Sequence, residues 1–205
     1  MSRIVWPLLV LWTAACPGPA GPRAAQPPAP PPPAASGDPG AAPTEETPMD
    51  RPALARPQEW PGTVNVTATG PLYFAGQPDP AGLAHAASLG VTHVLNIRTE
   101  PEVAGLGFDE AAEVERLGMK YVALPFGPDS FSRDHVAGLA AALAEAGAGG
   151  VLVHCASSNR IGGLWATYLT LERGVPFEEA LEHGRAAGLR SPSMEQAAAR
   201  VAASR

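Results

Sequence analysis

The chain has 205 residues, 24 of them proline, a formal charge of −6 and a single lysine, Lys120. Sixteen of the prolines fall in the first 61 residues, so composition divides the chain into a Pro/Ala-rich arm and a domain of residues 62–205, long enough to bury roughly two-thirds of its unfolded surface. No basic stretch could neutralise a row of phosphates, no CxxC spacing is present and no apolar run reaches ~18 residues, which excludes nucleic-acid binding, a zinc ribbon, a disulfide scaffold and a spanning helix.

Residues 1–16 read MSRIVWPLLVLWTAAC. A positive Arg3, an apolar stretch and small Ala14-Ala15 form an export signal rather than part of a fold. The segment ends in Cys16 and resembles a bacterial lipobox, with Thr13 where such boxes carry Leu or Val. Three outcomes stay open: lipidation at Cys16, cleavage at a nearby alanine, or an uncleaved anchor. Each places the protein outside the cytoplasm, periplasmic or tethered, with membrane contact only through a lipid on Cys16. Residues 17–61 have many prolines and few large apolar residues, so they read as a disordered tether, extended where prolines cluster.

From Thr63 the elements alternate. TVNVTAT (63–69) and LYFAG (72–76) read as short strands. Asp79-Pro80 caps a helix that Gly90 stops. VTHVLNI (91–97) is a buried strand, and a helix follows from about Phe108 to Leu117. KYVALP (120–125) is the next strand. Ser132 caps a helix through Ala146, with Asp134 in its first turn. GVLVHC (150–155) is another buried strand, followed by helices over 160–173, 176–187 and 193–203. This alternation predicts an α/β fold, a mainly parallel sheet with helices on both faces. In such sheets ligands bind outside the carboxyl ends of the strands. Arg98, Phe126 to Asp129, and Cys155 to Arg160 fall on that rim.

The chemistry concentrates in VLVHCASSNRIGGLWATYL (151–169). A strand ends in His154-Cys155, and Arg160 follows where a helix begins. Such a loop aims several backbone N–H groups at one place, with a helix dipole behind them. An anion is favoured there, and a cysteine thiolate is such an anion. The arginine fork suits two oxygens of a phosphate or sulfate. Together these residues suit attack on an oxyanion ester. The plainer reading makes Cys155 a small buried residue at a strand end and Arg160 a helix charge.

HCASSNRIG resembles the signature loop of cysteine-dependent tyrosine and dual-specificity phosphatases. LYFAGQPDPAGLAHAASLGVTHVLNIRTEPE (72–102), with that loop, resembles the bacterial phosphatase-like family whose domain is fused to beta-lactamase-like hydrolases, with a relative in NAD-kinase fusions. The resemblance runs from about Gly70 to Leu189. It implies a cysteine-phosphatase fold and hydrolysis of a phosphomonoester through a phosphocysteine, with no metal or organic cofactor. Cys155 matches the nucleophile and Arg160 the phosphate-binding arginine. The amides of Ala156, Ser157, Ser158, Asn159 and Arg160 match the cradle, and His154 the supporting residue. Asp129 in ALPFGPDSF (123–131) is the candidate general acid, or else a turn aspartate; Asp134 is a second candidate.

Two departures stand out. Four residues separate Cys155 from Arg160, where the tyrosine phosphatases have five. The shorter ring leaves open a rhodanese-like sulfurtransferase carrying a persulfide on Cys155. Ile161 stands where phosphatases place a hydroxyl residue that helps the thiolate leave, so Ser157 or Ser158 would have to compensate, or the domain is an oxyanion-binding module with weak turnover. Arg98 is either a second phosphate ligand or the surface partner of Glu100 or Glu102. Gln77 in GQP either closes over the site or forms a turn. His183 reads as a half-exposed helix residue, and His85, His93 and His135 show no metal spacing. Leu164, Trp165 and Tyr168 form a core face. The substrate is a phosphorylated molecule whose identity the sequence leaves open.

Overall fold

A computed structural model describes residues 52–204. The export-type segment 1–16 with Cys16, and the arm through residue 51, lie outside the described residues. The chain order is β1 (Arg56–Trp60), β2 (Thr63–Thr69), β3 (Leu72–Ala75), α1 (Pro80–Ser88), β4 (Val91–Asn96), α2 (Glu100–Ala104), α3 (Glu110–Arg116), β5 (Lys120–Ala123), α4 (Arg133–Ala146), β6 (Gly150–His154), α5 (Asn159–Arg173), α6 (Phe177–Ala186) and α7 (Pro192–Ala203).

The six strands form one sheet in the order β1-β2-β3-β6-β4-β5. The expected parallel arrangement holds in the centre, where β3, β6, β4 and β5 run in one direction. β1 and β2 extend the sheet antiparallel at one edge. Side chains alternate across each strand, and β6 shows the consequence. Val151 and Val153 face the core shared with α4, α5, α6 and α7. Leu152 faces the opposite core, with Leu83 and Ala86 of α1 and Val114 of α3. The sheet is therefore covered on both faces, as expected.

Strand β1 corrects the expected tether boundary at residue 61. Its sequence, RPQEW, buries only Trp60, so by composition it is indistinguishable from the arm. Pairing with β2 orders it, and Trp60 packs against Tyr73 and His85 at ring-centroid distances of 5.0 and 5.1 Å. Pro57 is tolerated because an edge strand has a side that donates to no neighbour.

The caps follow sequence chemistry. Asp79 Oδ1 accepts from Gly82 N at 2.9 Å, ahead of Pro80. Ser132 N donates to His135 Nδ1 at 3.1 Å at the start of α4. Helix α2 was not expected; it is five residues long and buries none of them, so no apolar periodicity announces it. A capping box between Thr99 and Glu102 builds its first turn. α5 lies between the sheet and the other helices, so every residue from Ile161 to Leu169 is buried, not one face alone. His183, expected to be half-exposed, is buried, because α6 packs its length on α5.

That contact depends on glycine. A Cβ added at Gly162 would lie 2.3 Å from Gly184 O and 2.4 Å from Leu189 N. These are backbone atoms, so the only relief is to move α5 from α6. Gly162→Ala should destabilise the fold by about 2 kcal/mol or more. Gly107→Ala, with open space around it, should stay near wild type. Thermal unfolding of the two variants checks this.

Candidate active site

The carboxyl ends of the parallel strands meet at one rim. Ala75 and Asn96 both pair with His154, and Asn96 also pairs with Ala123. The period of β6 then separates two adjacent side chains. His154 continues the Leu152 side, toward α3. Cys155 joins the opposite core beneath α5. Both are buried, and Cys155 is a free thiol.

The loop from Cys155 to α5 closes within three residues because Ser158 adopts a left-handed conformation, φ 70°. For a serine this backbone is strained by about 1 kcal/mol or more, and its surroundings hold it. Ser158 is fully buried and its Oγ donates to Ala187 O at 2.7 Å. Asn159 Oδ1 accepts from Arg190 N and Ser191 N at 2.8 and 2.9 Å. The loop carbonyls are also engaged: Ala156 O accepts from Gln77 N at 3.3 Å, and Ser157 O from Asn65 Nδ2 and Arg190 Nη2. The carbonyls and side chains of the loop are thus bonded to segments outside it. Ser157 N already donates to Cys155 Sγ at 3.5 Å.

Arg160 is held from one edge. Glu102 accepts from Nη1 at 2.9 Å and Nη2 at 2.7 Å, and Phe126 O accepts from Nη1 at 3.0 Å. Those bonds use the end of the guanidinium. They leave the side edge, Nε–H with the second Nη2–H, and the Cys155 sulfur acts on the same guanidinium. Burial works against the charge of Arg160, but the Glu102 carboxylate and the Cys155 sulfur hold the group protonated above its ordinary range. Glu102 responds in kind. Its hydrogen bond from Arg160 outweighs partial burial and, with donors from Thr99 N and Oγ1, brings its pKa down to about 2.

A chain of polar side chains connects the two ends of the loop behind the site. His154 Nε2 lies 2.9 Å from Glu110 Oε1, and both side chains are fully buried. Glu110 also accepts from Gln77 Nε2 at 3.0 Å and Asn96 Nδ2 at 2.5 Å. Gln77 Oε1 accepts from Arg98 Nη1 at 2.7 Å, and Arg98 Nη2 donates to Glu102 O at 2.9 Å. The Gln77 amide orientation is dictated, since Arg98 only donates and the carboxylate only accepts. Burial opposes ionisation of Glu110, but His154, then Gln77 and Asn96, hold it below the usual carboxylate range.

The structure thus brings together Cys155, the loop 156–159, Arg160 and His154. Arg98 reaches the rim, but its bonds run to Gln77 and Glu102. Of its two expected roles it shows the pairing, with Glu102 and in a half-buried rather than a surface setting. Gln77 neither covers the site nor serves only as a turn; it joins Glu110 to Arg98. Asp129 is exposed in a turn three residues after Phe126, the residue whose carbonyl holds Arg160. Asp134 is exposed in the first turn of α4. Ile161 is buried in the core and the Ser158 hydroxyl is committed to Ala187, so Ser158 does not supply the missing hydroxyl. Among the described residues no group of three or more His, Cys, Asp or Glu is placed to hold a metal ion, and no helix is long and apolar enough to cross a membrane.

Sequence reasoning missed Glu110 altogether, and met Glu102 only as a partner for Arg98. An acidic residue after an N-cap aspartate normally serves the helix dipole. The overlooked signal is periodicity. Glu110 and Val114 are the two buried positions of α3, one turn apart, and a charge on the apolar stripe must have a buried partner.

Residues 66–171 match the family model described as beta-lactamase hydrolase-like protein, phosphatase-like domain. No curated protein matches the chain. Among solved structures, P. aeruginosa TpbA in complex with pTyr aligns with a TM-score of 0.58 at 21% identity, over 77% of this chain and 91% of that one. Tk-PTP in the active form aligns at 0.56 and 19%, over 70% and 97%. A putative phosphatase from Neisseria meningitidis aligns at 0.53 and 21%, over 63% and 92%. At these identities the likeness shows the fold.

The Glu102–Arg160 pair carries a pH signature. A carboxylate whose pKa is lowered by folding stabilises the fold fully above its unfolded value, near 4.5, and loses that contribution as pH falls toward about 2. The stability gap between wild type and Glu102→Gln should be widest above pH 5 and close toward pH 2. Urea denaturation across this range measures it.

Proposed function

Because the chain belongs to the beta-lactamase hydrolase-like phosphatase-like domain family, we propose that it is a cysteine-dependent phosphatase hydrolysing phosphomonoesters of the tyrosine and dual-specificity type. The observation that carries the reading is the setting of Arg160. Glu102 and Phe126 O hold one edge, and the Cys155 sulfur acts on the same guanidinium.

The chemistry follows from that geometry. The phosphoryl oxygens take the loop N–H groups and the side edge of Arg160. The Cys155 thiolate attacks phosphorus, forming the S–P bond as the ester P–O bond breaks. Asp129, on its exposed turn, gives a proton to the leaving oxygen. Water then attacks the phosphocysteine, giving its proton back to Asp129 as the S–P bond breaks and the thiolate is restored. The donors are fixed before the substrate arrives, so little reorganisation is required as charge builds on the equatorial oxygens.

The second step lacks a hydroxyl at the position after Arg160. Ile161 is apolar, and the Ser158 hydroxyl is occupied by Ala187 O. No hydroxyl therefore donates to the departing thiolate from the position after Arg160, Ser157 is left as the loop hydroxyl for that step, and turnover is expected to be slow. The sulfurtransferase reading keeps only the four-residue spacing in its favour. Export and tethering through Cys16 belong to the same proposal and rest on residues 1–16; the mass of the mature N-terminus tests them.

With an aryl phosphate, the full-length chain should release a burst of about one phenolate per Cys155, followed by slow turnover. Cys155→Ser should lose hydrolysis by roughly a thousandfold or more, Arg160→Ala by about 10²- to 10³-fold, and Asp129→Asn by about 10²-fold, most with poor leaving groups. Thiocyanate formation from thiosulfate and cyanide, with no phosphate released, would replace this function with sulfur transfer.

A further inference from the structure

Positive charge is scarce in this chain, with 14 lysines and arginines against 20 aspartates and glutamates. Around the Cys155 loop most of it is already paired. Arg160 and Arg98 both face Glu102, and Arg185 faces Glu195 at 3.2 Å. Arg190 differs: among the described residues it forms no ion pair. Its side chain makes one hydrogen bond there, from Nη2 to Ser157 O, in the middle of the loop that joins Cys155 to Arg160. A guanidinium carries five N–H donors, so most of them are left over, and the residue is exposed.

The fold fixes where this charge stands. Arg190 N donates to Asn159 Oδ1 at 2.8 Å, and Ser191 N donates to the same oxygen at 2.9 Å. Asn159 Nδ2 donates back to Ser191 Oγ at 2.9 Å. The segment after α6 is therefore tied to the start of α5, and Arg190 keeps its place beside the loop. The residue also lines a cavity of about 380 Å³ that includes Arg185 of α6 and Glu195 of α7. Leu189 and Pro192 give this cavity apolar walls. The Glu195 carboxylate is matched there by Arg185. The charge left unmatched is that of Arg190, so an anion is the complementary occupant.

We propose that Arg190 determines specificity: it receives a carboxylate that the substrate carries beside its phosphorylated residue, so the preferred substrates are acidic phosphopeptides. The proposal rests on the reading of the Cys155 loop as the phosphate site of a tyrosine or dual-specificity phosphatase. Arg160 takes the phosphoryl group, and Arg190, bonded to the same loop at Ser157, takes the neighbouring charge. The planar fork of an arginine matches the two oxygens of a carboxylate. Support of the loop does not account for the residue. Asn65 Nδ2 also donates to Ser157 O, at 3.4 Å, and a neutral amide would hold that carbonyl without placing a cation on the cavity wall.

The full-length protein is assayed with a phosphotyrosine peptide that has Glu on both sides of the phosphorylated residue, and with the same peptide carrying Gln in place of Glu. The quantity compared is kcat/KM, which covers the steps up to the phosphocysteine, so slow dephosphorylation does not mask a difference. Wild type should favour the Glu peptide by about tenfold at low salt, the size expected of one charge-assisted pair. The preference should shrink as salt is raised to about 1 M, because exposed charges are screened. Arg190→Gln keeps a donor for Ser157 O and removes the charge; the two peptides should then react within about twofold of each other. Arg190→Lys keeps the charge without the fork and should retain part of the preference. Equal rates on the two peptides in wild type, or a preference that survives in Arg190→Gln, overturn the proposal. Release from an aryl phosphate but from neither peptide overturns it as well. No release from any of the three substrates would instead overturn the phosphatase reading.

Discussion

A carboxylate taken out of water costs several kcal/mol unless protein donors replace its hydration, and two carboxylates set the terms for this rim. Glu110 is enclosed behind His154, and Glu102 is held against Arg160. Each demands donors from several elements, so each fixes the relative placement of those elements. Glu110 ties α3 to β4, β6 and the turn after β3. Glu102 ties α2 to α5, and the shared Phe126 carbonyl brings in the segment after β5. Gln77 and Arg98 join the two systems. The loop is thus held at Arg160 and at His154, the residue before Cys155, by one chain of hydrogen bonds and charged contacts.

The same loop is held from outside by close backbone approach. Gly162 and Gly184 let α6 lie against the start of α5, and Gly188 passes where a Cβ would come 2.8 Å from Ser158. Ser158 accepts its left-handed backbone because its hydroxyl and its neighbour Asn159 are bonded into the segments after α6. Strain in the turn is offset by partners distant in sequence.

Legibility in the sequence followed the range of the interactions. Apolar runs and caps act locally, so β4, β6, α1 and α4 could be read from VTHVLNI, GVLVHC, Asp79-Pro80 and Ser132. The Cys155 loop was legible because its residue types lie within six positions. Strand β1 was not, because its order comes from pairing while its composition matches the arm. Helix α2 was not, because it buries nothing. Glu110 reads as helix-dipole compensation until α3 is docked on the sheet. Arg98 and Gln77 were correctly placed at the rim, but their partners lie 4 to 33 residues away in sequence, and only the fold selects among them. The short spacing before Arg160 and the apolar Ile161 were visible from the start. The structure adds that Ser158 is already engaged and does not offset Ile161.

Trapping the intermediate tests the central claim most directly. The full-length protein is mixed with an aryl phosphate, quenched in acid within the burst phase, and digested, and the mass of the Cys155 peptide is measured. One added phosphoryl group on Cys155, absent in Cys155→Ser, is the predicted result. Phosphate release with an unmodified Cys155 peptide, or a persulfide on that residue after exposure to thiosulfate in place of a phosphoryl group, would contradict the account.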